Sequence, residues 1–297
     1  MSNTISSVGQ PPINIFDFAK RVRIANVTCD CDQCQPQRYY SGACGNAHET
    51  IPQRHWLISW IRGPFQPKLK HNHVYEALHL ARASMQYFTK ATKDMTPMQQ
   101  DALKRFERLK SSRESTLSKL GWKDGARALA CHRVLSIINI YNDLFFFGAV
   151  KMDFQWRELE PNLLAWYLPD DGLIELSPWA TDTGTLSCTT NGTTTCEART
   201  IDRLGILLHE VVHAYLSQFA CGQCPTDDVN LSNAAGHGRA FQLIASALEQ
   251  VSQAMFGMQL NASSVSDYIA NWHDVRHLPS MHDASQWKWF VDKRPEL

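Results

Sequence analysis

The chain has no apolar run that could cross a bilayer, which takes about 20 consecutive apolar residues. The apolar cluster Leu144 to Val150 is short and closes on Lys151. Its first residues, MSNTISSVGQPPINIFDF, lack the cationic start, apolar stretch and small-residue cleavage site of a secretory signal. There is no excess of either charge: 29 lysines and arginines balance 29 aspartates and glutamates. No global field therefore draws the protein onto nucleic acid or an anionic membrane, and net charge does not support DNA association. No internal repeat or low-complexity tract is present. These absences together give the expectation of a soluble intracellular protein, nuclear or cytoplasmic, with no membrane partner. In that setting the nine cysteines are expected to be free, metal-bound or redox-active.

What is present suffices for one substantial core, since 44% of the 297 residues are hydrophobic. Residues 1–73 are punctuated by Pro11, Pro12, Pro36, Pro52, Pro64 and Pro67 without sustained periodicity, and read as a loop-rich N-terminal extension. Helical patterns follow. Ala77, Leu78, Ala81, Met85 and Phe88 share one face. A second helix opens at Thr96, with Pro97 at its first position and Gln99 completing a capping box, and its stripe continues to Leu120. A third runs from about Ala126 to Phe146. The period then changes from helix to strand: Val150, Met152, Phe154 and Trp156 alternate with polar residues, and short strands are expected within Leu163 to Leu168 and Leu173 to Leu176. Helical periodicity returns from Thr200 to about Phe219 and again from Arg239 to Phe256. The expected fold class is α+β, mainly helical with a small β-sheet.

Leu207-Leu-His-Glu-Val-Val-His-Ala-Tyr215 is an H-E-x-x-H motif inside one of these helices. Four residues along a helix return nearly to the same face, so His209 and His213 can offer imidazole nitrogens to one Zn²⁺ at about 2.0–2.1 Å. Glu210, rotated roughly 100° away, can hold a metal-bound water and act as general base and acid. A catalytic zinc takes three protein ligands and keeps an open position. A metzincin continuation would place glycine and then histidine in the two turns after His213, where this chain has Leu216 and Phe219. Two donors remain: His237, between Gly236 and Gly238 just ahead of the last long helix, and Glu249 well inside it. His237 is favoured, because the flanking glycines allow close backbone approach, Phe241 can pin the helix one turn later, and zinc prefers imidazole.

At these residues the chain resembles the SprT-like family of zinc metalloproteases, the Spartan-related group. The resemblance covers about Asn142 to Glu249 and rests on Phe145-Phe-Phe-Gly148, the strand ending in Trp156, Ile174-Glu-Leu-Ser177, Leu207-Leu-His-Glu-x-x-His-Ala214, and Gly236-His-Gly238 with Phe241. It implies a zincin-like metallopeptidase domain over residues 74–272, with its core at about 126–257, followed by a C-terminal tail at 273–297. It also implies zinc held by His209, His213 and His237, catalysis by Glu210, and a protein or peptide as substrate. Two features depart from it: the spacing from His213 to His237 is longer than in Spartan-type members, and the tail after Trp272 has no cysteine pair for a zinc ribbon and no ubiquitin-binding finger.

Other residues leave alternatives open. Cys188, Cys196, Cys221 and Cys224 read as a four-sulfur zinc site, as disulfides or as free thiols, and Cys29, Cys31, Cys34 and Cys44 near His48 raise the same question. Arg54, Arg62, Lys68, Lys70, His71 and His73, interleaved with Trp56 and Trp60, form either a nucleic-acid track or a solvated basic rim. His273, His277 and His282 have no ligand context in the sequence, and adjacent Cys131 and His132 read as packing. The rival to an endopeptidase is a zinc-stabilised binding module that cuts nothing, associated with nucleic acid through the basic stretch.

Overall fold

The structure is a computed structural model that describes residues 15–36, 43–44, 53–54, 68–69, 74–111, 116–160, 163–179, 189–190, 193–194, 196–224, 226–232, 236–262 and 278–289. The architecture is α+β, mainly helical with a small three-stranded sheet. The helices are α1 (Ile15–Ala25), α2 (Ala77–Phe88), α3 (Pro97–Ser111), α4 (Thr116–Leu120), α5 (Gly125–Ala128), α6 (Cys131–Phe145), α7 (Cys196–Phe219), α8 (Arg239–Phe256) and α9 (Met281–Gln286). The sheet is formed by β1 (Asp153–Trp156), β2 (Ala165–Leu168) and β3 (Leu173–Leu176). Its order is β1-β3-β2. β3 runs parallel to β1, with Phe154 opposite Ile174, and antiparallel to β2, with Tyr167 opposite Ile174. No helix among the described residues is long and apolar enough to cross a membrane.

Local chemistry accounts for the element boundaries. α3 starts where the capping box requires: the Gln99 N–H donates to Thr96 Oγ1 at 3.2 Å and the Thr96 N–H to Gln99 Oε1 at 3.0 Å. The apolar stripe expected to run on to Leu120 is carried by two helices, α3 and α4. The helix expected from Ala126 breaks before α6 because Leu129 turns extended, at φ −140° and ψ 117°, and its carbonyl accepts the Trp156 Nε1–H at 2.8 Å. β1 begins later than the alternation suggests, because Asn142 binds both backbone groups of Val150: Nδ2 donates to its carbonyl at 2.8 Å and Oδ1 accepts its N–H at 3.1 Å. Two helices lie where no periodicity was read. In the extension expected to be loop-rich, α1 buries Phe18 and Val22 completely, with Phe18 5.9 Å from Trp289. In the tail, α9 is closed by a reciprocal Ser280–Asp283 capping box.

The core is aromatic around the turn after α6. Phe147 adopts φ +62° and Gly148 φ +66°, a left-handed step that is costly for a bulky residue. Burial balances the cost: Phe147 packs 4.6 Å from Tyr87, Phe146 packs 4.8 Å from Tyr215, and Phe145 lies 6.0 Å from Phe256, all nearly inaccessible. Against this core lie α2 and α8, packed on one another, and α7, which packs on α6, α8 and β2. α7 is further anchored by the buried Arg203, which donates to the carbonyls of Leu120 (2.6 Å), Trp122 (2.8 Å) and Pro178 (2.7 Å) and lies over the Trp156 ring. Burial lowers this guanidinium to about 10.

Candidate metal centre

α7 carries His209, Glu210 and His213 on a stretch of helix that is buried nearly throughout. One turn before His209, Gly205 leaves no room for a side chain: a Cβ there would lie 2.2 Å from the Asn261 carbonyl oxygen. That close approach places the next residue, Ala262, so that its carbonyl meets His209 Nδ1 at 2.9 Å. A carbonyl only accepts, so Nδ1 carries the proton and Nε2 presents a lone pair. Glu249 on α8 accepts the Ala262 N–H at 3.0 Å. The carboxylate thus holds the residue whose carbonyl orients the imidazole.

The third histidine arrives on the turn into α8. Gly236 has φ +90°, and a Cβ there would sit 3.3 Å from His213 Cε1; at Gly238 a Cβ would meet the Asn230–Leu231 peptide at 2.8 Å. Both glycines are therefore required where the loop passes under α7. The His237 carbonyl accepts the Gln242 Nε2–H at 3.1 Å. Phe241, fully buried one turn on, touches all three rings, at centroid distances of 4.8 Å to His209, 4.7 Å to His213 and 4.7 Å to His237.

The three Nε2 atoms converge, with separations of 3.0 Å for His209–His213, 3.2 Å for His213–His237 and 3.0 Å for His209–His237. A tetrahedral zinc with bonds of about 2.0–2.1 Å sets its nitrogens about 3.3–3.4 Å apart, so the triad fits such an ion with small adjustments. Burial pushes the His209 imidazole down to about 3, aided by His237, and holds His213 well below its ordinary value. Three imidazoles turned on a common point make a candidate cation site. Glu210, the next residue on α7, is 6% exposed. His209, His213 and His237 are thus brought together as the sequence suggested. Ala262 and Gly205 carried no sequence signal, because one acts through a main-chain carbonyl and the other through a missing side chain.

The depressed imidazoles have a consequence of definite sign. In the unfolded chain they protonate near pH 6.5, but in the folded, metal-free protein they do so only far lower. Between those limits the unfolded state binds more protons. Their contribution is intact above pH 6.5 and is lost as pH falls below it, for His209 towards about 3. NMR of the metal-stripped protein is expected to show His209 and His213 not titrating between about pH 8 and pH 5. Ordinary titration near 6.5 would mean that the triad opens without metal.

The remaining candidates separate. Cys29, Cys31 and Cys34 converge with His282, a residue that sequence reasoning left without a role. The Cys44 side chain and His48 lie outside the described residues, as does Cys188. Among the described residues, Cys196, Cys221 and Cys224 form no disulfide and are not grouped as metal ligands; the Cys196 Sγ lies 3.3 Å from the Ser118 carbonyl. Cys131 and His132 are exposed, so they are not packing residues. Tyr215 faces the core, its hydroxyl donating to the Leu80 carbonyl at 3.1 Å. Of the basic, tryptophan-containing stretch, only the backbone of Arg54 and the exposed Lys68 fall within the described residues, and His273 and His277 also lie outside them. No protein-family model matches the chain, and no curated protein or solved structure matches it either.

Proposed function

We propose that the protein is a zinc-dependent peptide hydrolase with a zincin-like core, of the kind its H-E-x-x-H and Gly-His-Gly segments resemble in the SprT-like family. The observation that carries this reading is the convergence of three Nε2 atoms at 3.0–3.2 Å, directly followed in sequence by a buried glutamate at position 210. His209, His213 and His237 would hold the ion and leave one position open, the arrangement of catalytic rather than structural zinc.

When bound, zinc supplies Lewis acidity: it polarises a scissile carbonyl and lets a water lose its proton near neutral pH. The chain's own residues do the rest. Glu210 accepts that proton and later delivers it to the leaving amine. Ala262 and Glu249 fix the tautomer and plane of His209, and Phe241 holds the three rings in register, so little reorganisation accompanies the reaction. A site built only to stabilise the fold needs no glutamate beside its ligands, which argues against the binding-module reading.

Stripping the metal with a chelator is expected to abolish hydrolysis of a denatured protein substrate, and adding zinc back should restore it, assayed with and without single-stranded DNA. Undiminished cleavage by metal-free protein would end the proposal. A zinc-loaded, folded protein that cleaves nothing would instead favour the non-proteolytic module.

A further inference from the structure

We propose that Cys29, Cys31, Cys34 and His282 bind a second, structural zinc ion, which clasps the N-terminal segment to the C-terminal helix and braces the turn that carries His237. The ligand atoms of these four residues all lie within 4.8 Å of one another. With Zn–S bonds of about 2.3 Å a tetrahedral site places its sulfurs about 3.8 Å apart, so closing on an ion requires shifts on the order of one ångström. Three thiols and one imidazole are a donor set that suits zinc, and four protein ligands leave no open position, as in structural sites.

The local backbone explains how a short segment supplies three of the ligands. Residues 27–30 are irregular and lead from α1 into a turn at residues 32–34. Cys29 and Cys31 turn their sulfurs to the cluster, while Asp30 meets Arg239 and Asp32 meets Arg82. The chain then curls, the Gln35 N–H donating to the Cys31 carbonyl at 2.9 Å, which returns Cys34 towards the first two sulfurs. His282 comes from the first turn of α9, fixed by the Ser280–Asp283 capping box.

The two aspartates anchor the clasp on the rest of the fold. Asp30 Oδ1 lies 2.9 Å from Arg239 Nη2, and the same nitrogen donates to Asp283 Oδ2 at 2.9 Å. Asp32 pairs with Arg82, whose Nη2 is 2.6 Å from Asp32 Oδ1 and donates to Gln286 at 3.2 Å. Each arginine thus joins the cysteine segment to α9, one from α8 and one from α2. Arg239 is the first residue of α8, two after His237, and its Nη1 donates to Asn230 Oδ1 at 3.1 Å. Asn230 in turn belongs to the peptide against which Gly238 is packed. The clasp therefore supports the loop that delivers the third imidazole, without touching it.

Full-length protein is expected to carry about two equivalents of zinc and to lose one in Cys31→Ser and in His282→Ala, while His282→Cys, which keeps four donors, retains both. Cobalt distinguishes the centres. Among the described residues only this cluster groups cysteines as ligands, so a thiolate-to-cobalt charge-transfer band in the near ultraviolet should survive His209→Ala, vanish in Cys31→Ser and be unchanged in Cys131→Ser. Wild type itself provides a readout that requires no variant to fold: Cys29, Cys31 and Cys34 should all be alkylated as thiols, as mapped by mass spectrometry, after denaturation with chelator. Cobalt-loaded wild type without the charge-transfer band, or a disulfide mapped to Cys29, Cys31 or Cys34, would overturn the proposal whether or not the histidine triad hydrolyses peptides.

Discussion

Glu210→Gln is expected to fold and bind zinc like wild type and to lose hydrolytic activity by at least about 10²- to 10⁴-fold, the usual contribution of a general base. Glutamine keeps the size of the side chain and most of its hydrogen bonding while removing its basicity. The three ligands are untouched, because each is held by groups other than position 210: His209 by the Ala262 carbonyl, His237 by the turn between two glycines, and all three rings by Phe241. Activity measured against zinc content isolates the chemistry from the scaffold. Equal rates for Glu210→Gln and wild type at equal zinc would place any observed cleavage elsewhere.

The grouping of the three histidines was legible in the sequence for a physical reason. A helix repeats every 3.6 residues, so two histidines four apart inside a strongly periodic segment must share a face, and a third histidine between glycines announces a tight backbone approach. The capping box of α3 and the period-two run ending at Trp156 were legible on the same grounds. What could not be read depends on contacts between residues distant in sequence or on the main chain. Glu249 acts on His209 through two atoms of Ala262, and peptide groups look alike at every position. Gly205 reads as a mild helix defect until Asn261 is seen lying 2.2 Å from where its Cβ would be. The three clustered cysteines pointed to metal, but Cys44 and His48 looked like their partners because they were near in sequence. The donor that meets them, His282, sits at the other end of the chain on a six-residue helix too short to leave a periodic trace. α1 was obscured by the prolines around it, and its buried face is essentially Phe18 and Val22.

Removing the third ligand and removing its neighbour's support should differ by degree, and the difference tests the assignment. His237→Ala deletes one of three nitrogen donors. Because loss of an outer hydrogen-bond partner alone costs about 10- to 100-fold in metal affinity, loss of a ligand is expected to exceed 100-fold. Glu249→Leu removes the acceptor of the Ala262 N–H but leaves the carbonyl on His209, so its effect should not exceed that 10- to 100-fold range, with activity recovered at high zinc. Glu249→Gln retains an acceptor oxygen and should lie closer to wild type than the leucine variant. Competition with a zinc chelator of known affinity reads all three. If Glu249→Leu strips the metal as completely as His237→Ala, the carboxylate is a ligand and the chain has used its last long helix as the third arm of the site. If His237→Ala leaves affinity intact, the convergence of the three Nε2 atoms is packing, and the hydrolase reading loses the observation on which it stands.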